Sequence, residues 1–127
     1  MKNGRIAVPS EGLGGLEGQR SAHFGHCSTF TLIDVVDGEI SNVSTISNQE
    51  HREGGCLVPV NILAGQNVNA LIVSGIGMRP LVGFNNVNIS VHYEATQPSI
   101  QTVVKMMISG ELPEMEAKNA CGGGGAH

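Results

Sequence analysis

Aromatic side chains are nearly missing from this sequence: there is no Trp, one Tyr and three Phe in 127 residues. Its core therefore has to be aliphatic, filled mainly by Val and Ile. No apolar run approaches the ~20 residues a membrane-spanning helix needs, so no membrane partner is expected. Cations are few as well. Seven Lys and Arg against eleven Asp and Glu give a formal net charge of −4, and the basic residues are scattered. Binding to a phosphate backbone rests on clustered cations, so nucleic acid is not an expected partner. The three cysteines, Cys27, Cys56 and Cys121, are widely spaced, odd in number and contain no Cys-x-x-Cys pair. That pattern argues against a structural zinc centre and against a disulfide framework. With no charged segment leading into an apolar one at its start, the chain is expected to be cytoplasmic, with reduced thiols.

What is present is glycine, 18 residues of it, and aliphatic runs at strand and helix spacing. A chain this long can bury roughly two thirds of its unfolded surface, enough for one core. Arg5–Pro9 predicts a short strand, followed by a glycine-rich loop over Ser10–Ser21, long for so small a domain and so a candidate for function. Thr29–Val36 and Ile40–Ser47 predict an antiparallel hairpin, because Asp37-Gly38 between them suits a turn with positive φ. Helical spacing follows at Val58–Gln66, with Pro59 in the first turn. Ala70–Ser74 is continuously apolar, as in a strand buried on both faces. A short helix holding Leu81, Val82 and Phe84, a strand over Val87–Tyr93, and a helix marked by Ile100, Val103, Val104 and Met107 and stopping at Gly110 complete the order. Strand alternating with helix implies parallel pairing, and the hairpin adds antiparallel strands. The expectation is an α/β fold with a mixed sheet flanked by helices over 1–112, then a flexible Gly-rich tail over 113–127.

Candidate site residues gather in loops. Ser21–Cys27 brings His23, His26 and Cys27 together at a glycine bend before a strand, where open α/β sheets put their chemistry. These three are candidate metal ligands. Phe24 as a core anchor and Gly25 as a simple bend give a purely structural alternative. Gly75-Ile76-Gly77 follows a buried strand and precedes a helix. It is read either as a tight turn or as an anion seat made of backbone N–H groups, with Arg79 adding a full charge. Gly54-Gly55, near His51, Arg52 and Cys56, is read as a flexible linker or a second such seat. His92 is read as a packed or exposed strand histidine. Cys121 and His127 form at most a weak, entropically costly chelate. Clustered strand carboxylates for two-metal phosphoryl transfer are lacking, and no catalytic residues are assigned.

Taken together, Ile6-Ala7-Val8-Pro9-Ser10, His23-Phe24-Gly25-His26-Cys27, Gly75-Ile76-Gly77-Met78-Arg79-Pro80 and Val91-His92-Tyr93 resemble the dinitrogenase iron-molybdenum cofactor biosynthesis family. That family includes NifX-like accessory proteins and the C-terminal domain of NifB, and the resemblance spans about Arg5 to Leu112. It implies a ribonuclease H-like fold, with a mixed five-stranded sheet and flanking helices. It also implies non-enzymatic binding and carriage of a metal–sulfur cluster, either a molybdenum–copper sulfide or an iron–molybdenum-type precursor, with cluster donor or acceptor proteins as partners. Fold similarity does not convert into nuclease activity.

A thiometallate cluster brings its own sulfides and carries negative charge. The protein then has to supply N–H donors, cations and an apolar wall. On this reading Arg20 and Arg79 offset charge, Gly25, Gly54, Gly55, Gly75 and Gly77 expose backbone, Phe24 and Met78 give apolar surface, and Ile76 is counted with them among the cofactor-binding residues. His23, His26 or Cys27 would contribute donors or direct ligands. Two other functions stay open: a phosphate- or nucleotide-binding module at Gly75–Arg79, and a thiol-dependent enzyme at Cys27.

Overall fold

The computed structural model describes residues 1–21, 27–47 and 57–115. The elements run β1 (Gly4–Ser10), β2 (Thr29–Val36), β3 (Glu39–Ser47), α1 (Leu57–Gly65), β4 (Ala70–Val73), α2 (Met78–Asn86), β5 (Ser90–Tyr93), α3 (Ile100–Ile108) and β6 (Glu114–Met115). They form one mixed sheet in the order β3-β2-β1-β4-β5-β6. β1 pairs antiparallel with β2 and parallel with β4, β4 pairs parallel with β5, and β6 closes the far edge antiparallel to β5. The sheet thus has six strands where five are expected. The sixth is two residues long, too short for any hydrophobic period, and lies within the segment read as a tail.

Side-chain alternation along the strands divides the core into two layers. Ala7, Phe30, Leu32, Leu71, Val73 and Val91 face one side with Val60 and Leu63 of α1 and Leu81 and Phe84 of α2. Ile6, Val8, Ile33, Val35, Ala70 and Ile72 face the other, against Ile100, Val103, Val104 and Met107 of α3. β4 is buried along its whole length, as its unbroken apolar run predicts. The β2–β3 turn has positive φ at both Asp37 (53°) and Gly38 (79°), the geometry that matches the twist of a two-residue hairpin.

The helix ends account for a boundary the sequence misplaces. Asn67 (φ 60°), Asn88 (φ 65°) and Gly110 (φ 80°) each adopt the left-handed conformation just after a helix. In each case the next residue's N–H reaches back five positions: Val68 to the Leu63 carbonyl, Ile89 to Phe84 and Glu111 to Met106. All three helices therefore close with Schellman motifs. The predicted strand over Val87–Tyr93 begins instead at Ser90, because Val87-Asn88-Ile89 is helix cap and connection.

Candidate functional site

Parallel strands β1, β4 and β5 end on the same edge of the sheet, where three connections meet. The loop after β1 crosses towards the connection between β5 and α3. Ser10 bridges Arg20, Gln19 bridges Ser99, and the Arg20 N–H donates to the Pro98 carbonyl at 2.8 Å. A buried hydroxyl chain fixes the loop's root. Ser10 Oγ donates to the Val8 carbonyl at 2.8 Å, which leaves Thr31 to donate to Ser10 Oγ at 2.7 Å. The Gly15 N–H then donates to Thr31 Oγ1 at 3.0 Å. Every proton in that chain has an acceptor, which ties the loop at Gly15 to the sheet.

Arg20 lies under this loop with its side chain only 3% exposed. The sequence predicts it as a cation facing an anionic guest; in the structure its guanidinium is engaged within the fold. Nη1 donates to Glu94 Oε1 and to the Gln97 carbonyl, both at 2.9 Å, and Nη2 donates to the Glu94 carbonyl at 2.7 Å. Its Nε is buried without a partner among the described residues. Burial pulls the Arg20 pKa below the usual guanidinium value, against the pull of Glu94. Glu94 is the residue that sequence reasoning missed. Its carboxylate also accepts from the Thr96 and Gln97 N–H groups and from the Thr96 hydroxyl. Burial alone would raise its pKa, but those hydrogen bonds and Arg20 outweigh burial and hold it below the ordinary value. A lone Glu in a polar loop gives no sequence signal of such a role.

Gly75, Gly77, Met78 and Arg79 are all exposed at the end of β4, while Ile76 turns in against the core. Gly77 caps α2 with φ −72° and ψ 162°, and among the described residues there is no side-chain hydrogen bond at this cap. Pro80 has no N–H, so Met78 and Arg79 supply the donors there. Neither glycine is imposed by backbone conformation or by crowding. Both lie outside the left-handed region, a Cβ at Gly75 would meet no described atom within 4 Å, and one at Gly77 would meet only Pro80 at an ordinary 3.6 Å. At Gly77 the helix N-cap is itself a favoured place for glycine, and at Gly75 the backbone is left open. Arg79 forms no ion pair among the described residues, and with Met78, Val82, Gly83 and Asn86 it lines a shallow cleft of ≈ 410 Å³ along α2.

Cys27 is buried, 5% exposed, in the core layer that also receives Ile76. Reactive cysteines are usually partly exposed beside cations, so the geometry gives the thiol-enzyme reading no support. The segment 22–26, with His23, Phe24, Gly25 and His26, lies outside the described residues, as do His51, Arg52, Gly54, Gly55 and Cys56, and Cys121 and His127. Among the described residues no three His, Cys, Asp or Glu side chains group as metal ligands. His92 is packed: Nδ1 lies 3.2 Å from the Leu112 carbonyl and Nε2 3.1 Å from Ser90 Oγ.

Residues 3–110 match the family described as dinitrogenase iron-molybdenum cofactor. This chain belongs to that family. An uncharacterised protein of Methanocaldococcus jannaschii is 31% identical over 114 residues, covering 88% of this chain and 92% of that one. Among solved structures, the protein PH0822 superposes with a TM-score of 0.73 at 27% identity, over 87% of this chain and 96% of its own. The apo form of the orange protein from Desulfovibrio gigas gives a TM-score of 0.78 at 22% identity, over 87% and 92%. That last likeness speaks for a shared fold. No described helix is long and apolar enough to cross a membrane.

Proposed function

We propose that this protein binds and carries a molybdenum-containing metal–sulfur cluster, either a molybdenum–copper sulfide or an iron–molybdenum cofactor precursor, without catalysing a reaction of its own. Family membership over residues 3–110 is the observation that carries this reading. The exposed loop from Gly75 to Arg79 adds physical support. It offers backbone donors, the positive end of α2 and a cation, Arg79, with no ion-pair partner among the described residues, a donor set for an anion that arrives with its metals already coordinated by sulfide. A bare metal ion would need several protein ligands, and the described residues supply no such group. His23, His26 and Cys27 remain candidate ligands on this reading, and Arg20 takes the part of a brace. We also read the sheet, with β2 antiparallel beside a central β1, as ribonuclease H-like, and the protein as cytoplasmic, exchanging its cargo with donor and acceptor proteins.

Metal-free protein mixed without oxygen with tetrathiomolybdate and copper(I), or iron(II), should retain molybdenum through gel filtration and show charge-transfer absorption. Arg79→Ala should weaken that retention. A protein that emerges colourless and metal-free from both mixtures overturns the reading. The same loop also suits a phosphate or nucleotide, and calorimetry with ATP separates the two: nucleotide binding that Arg79→Ala abolishes, with no molybdenum retained, would favour the phosphate module.

A further inference from the structure

α2 buries Pro80, Leu81 and Phe84 and turns a second apolar face outward. Met78 (38%), Val82 (37%) and Val87 at the helix cap (41%) are among the most exposed large apolar residues of the chain. They belong to two adjacent rows at four-residue spacing: Met78, Val82 and Asn86 in one, and Arg79, Gly83 and Val87 in the other. Five of these six residues line the ≈ 410 Å³ cleft. Rows of this kind are the ridges by which helices interlock.

The two rows are complementary to each other when a second α2 runs antiparallel across the first. With a two-fold axis between Val82 and Gly83, each Val82 faces the Gly83 of the other copy, a side chain against a position with none. Met78 then faces Val87, apolar against apolar. Arg79 faces Asn86, whose amide oxygen accepts from a guanidinium. α2 carries no acidic residue, and its one cation sits in its first turn, where the helix dipole disfavours positive charge. In the antiparallel pair each Arg79 moves beside the other helix's C-terminal end, where positive charge is favoured. Both the shape and the charge of this face are therefore matched by the same face.

We propose that the outward face of α2 is an isologous contact through which two copies of this chain associate. This inference does not depend on cluster binding, and it is tested on metal-free protein. Sedimentation equilibrium of the full chain from about 10 µM to about 1 mM, a range that brackets weak dimers, should show a monomer–dimer equilibrium. Val82→Glu, which places two like charges at the axis, should weaken association at least about tenfold, with an unchanged circular dichroism spectrum. Asn86→Asp should tighten it about three- to tenfold by giving Arg79 a charged partner across the interface, and 0.5 M salt should remove that gain. The Asp works against its own helix end in the monomer, so tighter association cannot come from a more stable monomer. Wild-type protein that stays monomeric throughout, a dimer indifferent to Val82→Glu, or a dimer weakened by Asn86→Asp would each overturn the proposal.

Discussion

Arg20 and Glu94, 74 positions apart, meet at 2.9 Å beneath the loop that follows β1, and each also holds backbone of the β5–α3 connection. The pair ties together two of the three connections at that edge of the sheet. Removing one partner leaves the other charge buried and uncompensated, a change that costs about 3–5 kcal/mol. Glu94→Gln is expected to destabilise the protein by that order in urea unfolding, whereas replacing both with apolar residues of similar size, Arg20→Met with Glu94→Leu, should cost less than the sum of the two single changes, because the buried charge is gone although backbone partners are lost. A double variant at least as unstable as the sum of the singles would contradict this account.

Acid should act on the same pair. Glu94 and Asp34 both titrate below their ordinary values of 4.5 and 3.8. For Asp34 the hydrogen bond from Arg5 Nε, 2.6 Å long, is the main cause. A carboxylate with a lowered folded-state pKa contributes stability that is complete above its unfolded value and is lost as pH falls through the folded one. Unfolding free energy should therefore drop as pH falls below about 4.5, and Glu94→Gln and Asp34→Asn should each flatten that drop. Urea midpoints from pH 6 to pH 2 measure it; parallel curves for variants and wild type would remove both groups from the acid response.

Two glycines near the site separate stability from binding. Gly14 has φ 69°, and a Cβ there would lie 2.7 Å from Thr31 Oγ1, inside the hydroxyl chain that anchors the loop. Gly14→Ala is expected to cost about 1–3 kcal/mol. Gly75→Ala meets open space at an ordinary φ, so its stability should stay within about 0.5 kcal/mol of wild type or rise slightly. Its molybdenum retention should nevertheless fall, because the added methyl stands where an external group approaches the backbone. Unaltered retention in Gly75→Ala at normal stability would detach that glycine from the site.

Much of the fold could be read from the sequence where one side-chain period ran unbroken. The apolar run at β4 and the Asp37-Gly38 turn state their conformation locally, and the stripe of α3 announces its buried face. What escaped depends on distant partners or very short elements. Glu94 is informative only beside Arg20, β6 is two residues long, and Asn88 reads as part of a strand until the Ile89 N–H is seen returning to Phe84. The glycines at 75 and 77 were ambiguous in the sequence because a tight turn and an open approach use the same residue; the structure adds that neither needs the left-handed region and that the space beside Gly75 is open.

The cap at Asn88 is directly testable. A non-glycine residue at φ 65° is tolerated best when it is Asn. Asn88→Gly should keep the Schellman closure of α2 at wild-type stability or slightly above it, and Asn88→Ala should cost about 1 kcal/mol. Thermal melts that rank Ala above Gly at this position would mean that the left-handed cap is not retained in solution.

Cys27 decides between two descriptions of the edge it precedes. Its side chain belongs to the same core layer as Phe30, Leu63 and Leu81 and is nearly sealed from water. Alkylation of native protein by iodoacetamide, followed at Cys27 by peptide mass mapping, should be slow and should accelerate on addition of urea. Cys27→Ala should lower stability by the order of a small core cavity, about 1 kcal/mol, while retaining molybdenum to a graded, partial extent. A direct sulfur–metal bond predicts complete loss of the charge-transfer bands in that variant instead. The first outcome would make the exposed backbone and Arg79 the cargo's main holds, and the second would require the wall around Cys27 to open for the cluster to reach it.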